Sequence, residues 1–311
     1  MLLWLDGAQN RAENPNENFA REFLELFTLG QGHYTETDVR EAARAFTGWG
    51  VRGADRDALE FSNRSAVHDA GVKTFLGQTG RWQGQDIVRI AVAHPATGRF
   101  IAGKLFDLFA YPDAPTSAVE PFAEKFRATG GNIREVVRAI LLSAEFSSDQ
   151  AYRARVKSPV ELAVGTLKAV QSSGIPEWTW RRLRRIGQEL FSPPNVGGWT
   201  AGVGWLNQQT VIERLAFAAQ LAHAPGETIS NEALLGGVSA AQVRDDPGAV
   251  VDQFLLLFDD GRLGATARDV LVDYLRIDGA DAATTRFAVV AAQRLRGLVQ
   301  LILSAPLSHV G

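Results

Sequence analysis

Apolar residues recur at helical spacing through most of the chain, and the breaks between these stretches carry residues that start and stop helices. Asn14, Pro15, Asn16, Glu17 and Asn18 offer caps, and Phe19, Phe23, Leu26 and Phe27 then follow at i, i+4, i+7 and i+8 as far as Gly30, which predicts a buried amphipathic helix. Thr35 with Asp38 three residues on reads as an acidic capping box, and Val39, Ala42, Ala43 and Phe46 form the next stripe before Gly48 and Trp49. From 50 to 84 the period fails among repeated glycines, which predicts a long Gly-rich loop with room for a small hairpin. Helical pattern resumes at 86–93, breaks at His94-Pro95, and restarts through Phe100, Ile101, Leu105, Leu108 and Phe109.

Two more helices are expected at 117–129 and 132–145. Ser158, Pro159 and Glu161 mark an N-cap, N1 and N3, starting a helix that runs to about Gln171. The stretch from Ser192 to Trp199, with Pro193, Pro194, Gly197 and Gly198, is non-helical and joins helices near 178–190 and 206–222. Residues 223–247, rich in Ala, Gly, Pro and Asp, read as a linker or crossing loop before helices at 248–259, 265–275 and 284–304. The expected fold is all-α, a multihelical orthogonal or irregular bundle. Its expected divisions are a motif-rich core over 1–222, the crossing at 223–247, and a C-terminal segment over 248–311 packed on the core.

Composition narrows the function classes. With 46% hydrophobic residues in 311, the chain can bury a sizeable core. Lys+Arg 32 against Asp+Glu 35 leaves a formal charge of −3, so no global field favours nucleic acid. The absence of cysteine excludes disulfides, thiolate metal sites and a cysteine nucleophile. The longest apolar runs, such as the one from Phe254 to Phe258, fall far short of the roughly 18 residues of a membrane span. Met1 to Leu5 is apolar, but no basic residue precedes it and Asp6 cuts it short, so it does not read as a signal peptide. No nucleophile elbow, phosphate loop, dinucleotide fingerprint or calcium loop occurs.

The chemistry-bearing residues crowd into the first hundred or so positions. Glu22 and Glu25 share one column with Asn18 beside the apolar stripe of the first helix, either as a solvated acidic edge or as recruited carboxylates. Lys104, surrounded on the wheel by Phe100, Ile101, Leu105 and Leu108, must snorkel outward or meet an acid, and Glu22 is the first candidate, ahead of Glu25 and Asp69. His33, His68 and His94 each stand at a loop or helix end. With Glu22, Glu25 and Asp69 they supply ligand types used by zinc, manganese and iron, and Glu22, His68, Asp69 and His94 are the metal candidates. No H-E-x-x-H spacing supports such a site, and hydrogen-bonded capping histidines are the alternative. A polar pocket is therefore expected from the first helix, the 50–84 loop and the 94–110 segment. Arg181, Arg182, Arg184 and Arg185 read as a solvated face or an anion patch, and Trp199 and Trp205 as core plugs or sugar platforms.

Several ordered strings carry a family resemblance: Pro15 to Glu22, Glu25 to Gly30, Tyr34-Thr35-Glu36, Thr47-Gly48-Trp49, His68-Asp69 with Lys73, and His94-Pro95 with Lys104. Ser143 to Phe146, Lys157-Ser158-Pro159 with Glu161, and Phe191 to Trp199 extend it. With these the chain resembles the uncharacterised bacterial family known as domain of unknown function eighteen-hundred. The resemblance implies an α-helical, often exported protein, periplasmic or extracellular, frequently encoded beside a sulfatase-like neighbour, with no established reaction or cofactor. Members usually carry a further N-terminal helical region, and the segment from Met1 to Asp6 matches their interior, so Phe19, Phe23 and Phe27 are expected to lie uncovered. Two functions follow as expectations. The first is a non-catalytic scaffold whose partner is the neighbouring sulfatase-like product or a glycan. The second is a hydrolase or metal-assisted enzyme using Glu22, Glu25, His68, Asp69, His94 and Lys104, with a carboxylate as general base and Lys104 stabilising developing charge.

Overall fold

The first apolar stripe folds as α1 (Asn18–Glu25) and the second as α2 (Glu36–Ala45), the latter opened by the expected capping box between Thr35 and Asp38. Phe46 locks them together. Its ring meets Phe19 edge-on at 5.0 Å, Phe23 at 5.5 Å and Trp49 at 4.9 Å, geometries in which the positive edge of one ring faces the negative face of another. Phe19 and Phe23 are thus buried, contrary to the expectation that they would lie uncovered; Phe27 remains 40% exposed.

In this computed structural model the described residues are 1–53, 58–223, 235, 237–258, 263–277 and 285–311. They form two compact units, Met1–Tyr152 and Arg153–Gly311. The glycine-rich stretch of the first unit holds two small antiparallel hairpins, β1 (Trp49–Arg52) with β2 (Glu60–Asn63), and β3 (Lys73–Phe75) with β4 (Gln78–Gly80). The second turns through Leu76 (φ 46°) and Gly77 (φ 76°), the two successive positive values that a right-twisted two-residue hairpin requires.

α3 (Gly84–Ala93) ends at His94, which also caps α4 (Pro95–Phe109), and α5 (Thr116–Ala128) and α6 (Ile133–Leu141) complete the unit. α4 buries small residues, Gly98 and Ala102, together with Phe106 against α5. The contact is close: a Cβ at Gly98 would stand 3.0 Å from the Ala123 carbonyl oxygen.

In the second unit, α7 (Pro159–Ala169), α8 (Trp178–Ile186) and α9 (Gln208–Ala222) share one core with α10 (Ala240–Asp245), α11 (Pro247–Phe258), α12 (Ala265–Leu275) and α13 (Thr285–Ser304). Phe217, Leu221, Phe254, Leu275, Phe287 and Leu298 lie at its centre. Helices from both sides of the expected 223–247 crossing therefore belong to one unit, while residues 224–234 and 236 of that crossing lie outside the described residues. Within α13, the segment Phe287–Ser304 is long and apolar enough to cross a membrane by length and composition (mean hydropathy 1.3), contrary to the expectation from the short unbroken apolar runs. Its stripe of Ala291, Leu295, Leu298, Val299 and Ile302 is spent on the core, as in an ordinary core helix. After α13 a short terminal strap runs along residues 155–157, just ahead of α7: Val310 bridges Val156, and the Lys157 amide donates to the His309 carbonyl at 2.8 Å.

The aromatic knot makes a sharp contrast in stability. Phe46→Ala is expected to lower the unfolding free energy by about 3–5 kcal/mol, and Phe27→Ala to change it by less than about 0.5 kcal/mol, as measured by urea unfolding.

Candidate functional site

Two polar clusters account for most of the candidate residues. The first lines an open groove of about 550 Å³ between the end of α1 and the first turns of α4. Gly30 lets the two elements meet: its φ of 75° suits glycine, and a Cβ there would stand 2.9 Å from the Phe100 ring. Along the groove lie Glu25, Gln31, His33, Arg99, Phe100 and Lys104. Glu25 is held from two sides, by Gln31 Nε2 at 2.6 Å and the Tyr34 hydroxyl at 3.1 Å. Burial pushes that phenol up to about 12, and its hydrogen bond to Glu25 adds to the shift. Arg99 is tethered to Glu120 at 2.7 Å.

Lys104 departs from expectation. It makes no ion pair with Glu22 or any other described carboxylate; its ammonium lies 4.6 Å from the centroid of the Phe100 ring and 3.5 Å from the Leu26 carbonyl oxygen, exposed to solvent. The reason is the seam of small residues. Gly98, Ala102 and Phe106 mark the buried face, which turns Phe100, Lys104 and Leu108, also spaced by four, toward the outside. A wheel weighted by side-chain size picks the wrong arc.

His94 caps α4, its Nδ1 accepting the Ala96 amide proton at 3.2 Å, and its ring stands 6.5 Å from that of His33 at the groove. Burial lowers the His94 pKa, and the neighbouring His33 lowers it further. The capping alternative thus describes this histidine. Glu22 is half-buried on α1, and among the described residues its carboxylate forms no ion pair.

His68 and Asp69 belong to the second cluster and do not line the groove. Arg44 of α2 reaches Asp69 through Nε at 2.7 Å and Glu41 through Nη1 at 2.9 Å. The Arg44 hydrogen bond is the chief cause that holds the Asp69 carboxyl below its usual range. His68 Nδ1 lies 2.9 Å from the Thr47 carbonyl oxygen, which can only accept, so Nδ1 carries the proton. The Thr47 hydroxyl donates to the Arg44 carbonyl at 2.6 Å and accepts from the Asp69 amide at 2.8 Å. Lys73, fully buried on β3, donates to the carbonyls of Asp69 and Gly71, and burial lowers its pKa. Two further α2 carboxylates fasten the β3–β4 hairpin: Glu41 accepts the Thr74 amide and Asp38 the Leu76 amide. No motif pointed to Arg44 or Glu41, and Thr47 entered only through the Thr47-Gly48-Trp49 string. A capping-box Asp followed by Glu and Arg on the same helix, ahead of a hairpin unable to stand alone, was the available signal.

The structure therefore brings Glu25 and Lys104 together with His33, places His94 beside them, and sends His68 and Asp69 elsewhere. Among the described residues no three His, Asp or Glu side chains are placed to hold a metal ion. Of the four named for zinc, manganese or iron, His68 and Asp69 stand together in the Arg44 cluster, while His94 caps α4 beside the groove and Glu22 lies on α1. In the second unit the arginine run is locally compensated, Arg181 by Glu177, Arg182 by Glu213 and Arg184 by Glu189. Trp205 is a buried core plug and Trp199 is half-buried.

Lys73→Met leaves two inward-facing carbonyls without a donor and is expected to cost about 1–3 kcal/mol in urea unfolding. The Asp69 carboxyl is depressed in the folded state, so its contribution is complete above its usual value near 3.8 and is lost as pH falls through the folded value. Stability followed downward from pH 5 should therefore fall below about pH 4 in the wild type, and Asp69→Asn should flatten that fall. A variant whose acid limb superimposes on the wild type would show that the ion pair carries no such load.

No curated protein and no solved structure matches the chain. The family model described as protein of unknown function (DUF1800) matches residues 1–307. Matched over nearly its whole length, the chain belongs to that family.

Proposed function

We propose that this protein is a non-catalytic binding protein, and that the groove between α1 and α4 takes an acidic glycan. The observation that carries this reading is the division of the polar residues. Asp69 is bound by Arg44 and the Gly71 amide, His68 Nδ1 is turned onto the Thr47 carbonyl, and the neighbouring Lys73 ammonium donates to backbone carbonyls. The groove residues are instead open to water, where preorganised charges are weakest as catalysts but suffice for recognition. The Phe100 ring seats the Lys104 ammonium, and His33 and Arg99 flank it, supplying donors for carboxylate or sulfate. A sulfated sugar would also give the sulfatase-like neighbour, expected from the family resemblance as partner, a ligand in common with this chain. The hydrolase reading asks six side chains to converge, and their distribution over two clusters favours the binding reading.

Isothermal titration with a chondroitin sulfate hexasaccharide and its unsulfated counterpart tests this. Saturable binding is expected for the sulfated sugar, weakened at least about tenfold by Lys104→Ala and by Phe100→Ala, with unfolding by urea little changed. Absence of saturable heat with both sugars, or equal affinity in both variants, would sink the proposal.

A further inference from the structure

α6 carries apolar residues on two faces, and the fold uses only one of them. It packs on α4 and α5, and Val136 and Ile140 are fully buried. On the opposite arc Arg134, Val137, Arg138, Leu141 and Leu142 follow at i, i+3, i+4, i+7 and i+8, the spacing of a helix face that meets another surface. These five residues line an open depression of about 400 Å³ that shares no residue with the groove between α1 and α4. Leu142 is 75% exposed and Leu141 39%. A single exposed leucine is ordinary, whereas a contiguous apolar stripe rimmed by charge marks a contact surface.

The rim sets the charge of what covers it. Arg134 and Arg138 stand one turn apart, both exposed, and neither guanidinium forms an ion pair or hydrogen bond among the described residues. On α8, by contrast, Arg181, Arg182 and Arg184 each meet a glutamate. No acid lines the depression. A second copy of the same face is therefore a poor match, because a two-fold pairing would gather four guanidinium groups and no carboxylate in one interface. A bilayer is a poor match too: a flat surface leaves the depression unfilled, and two basic residues beside a few apolar ones make a weak lipid anchor. A helix fills such a depression by setting its ridges into it, and acidic residues at i and i+4 repeat the one-turn spacing of the two arginines.

We propose that this face of α6 docks an acidic amphipathic helix of a polypeptide partner. Leucine-type side chains of the partner rest on Val137, Leu141 and Leu142, and its carboxylates, one turn apart, meet Arg134 and Arg138. α6 has nine residues, so about three turns of partner helix cover it, and a contact of that size belongs to a reversible complex. Docking here does not depend on glycan binding in the groove.

The test is fluorescence anisotropy of a labelled, helix-stabilised peptide of about 14 residues, with leucine at i, i+3, i+4 and i+7 and glutamate on both flanks, titrated with the full chain. A saturable rise is expected, with a dissociation constant of about 1–100 μM. Glutamine in place of the glutamates should weaken binding at least about tenfold, and so should the double variant Arg134→Glu, Arg138→Glu or the single variant Leu142→Asp. The double variant should in turn bind the peptide that carries lysine in place of glutamate. All three substituted positions are exposed, so urea unfolding should stay close to that of the wild type. No saturable rise up to about 1 mM, equal affinity for the acidic and neutral peptides, or equal affinity in wild type and double variant would overturn the proposal. So would co-sedimentation with phosphatidylglycerol vesicles that the double variant loses, or a wild-type dimer in sedimentation velocity that Leu142→Asp abolishes, if the acidic peptide fails to bind.

Discussion

A three-residue strand pair cannot hold itself in water, and the arrangement of polar residues in the first unit follows from that constraint. The β3–β4 hairpin is fastened by side chains of α2: Asp38 and Glu41 accept its amides, and Arg44 grips Asp69 just ahead of it. Those carboxylates must face the hairpin, which fixes the rotation of α2 and points Val39, Ala42 and Phe46 into the core on the opposite arc. His68, Asp69 and Lys73 are drawn into this fastening and do not line the groove between α1 and α4.

That groove has a different physical origin. α4 packs by the seam of Gly98, Ala102 and Phe106, so Phe100, Leu108 and its one lysine are turned outward. Gly30 brings the turn after α1 within contact of Phe100, and Glu25 and His33 come with it. An aromatic face with a free ammonium above it is the outcome of a close helix seam elsewhere. Its cost to the fold is small, because exposed aromatic and basic side chains at a helix surface carry little strain.

The helices were legible because their signals are local. The Thr35 and Ser158 caps, the break at His94-Pro95 and the stripes through Phe19 and Val39 each lie within one or two turns of sequence, and each appears where its residues point. The second hairpin was only half legible: glycines announced turns, but the positive φ at Leu76 depends on the strand pairing around it. Among the site residues, Glu25 and Lys104 were found in one groove, but the reason given for Lys104 failed, because helical periodicity does not distinguish a seam of glycine and alanine from a stripe of leucine and phenylalanine. The pairing of Arg44 with Asp69, 25 residues away, and the hydrogen bond of the buried Arg214 to Lys157, 57 residues away, are long-range facts with no local trace.

The central claim is that recognition occurs in the groove while the His68–Asp69 cluster only holds the fold. Hydrogen exchange followed by mass spectrometry, with and without a saturating sulfated hexasaccharide, addresses both halves together. The account predicts that slowed exchange on ligand addition concentrates in residues 25–34 and 96–104, with 65–75 unchanged. Protection centred on His68 to Lys73, with the groove segments unaffected, would contradict it.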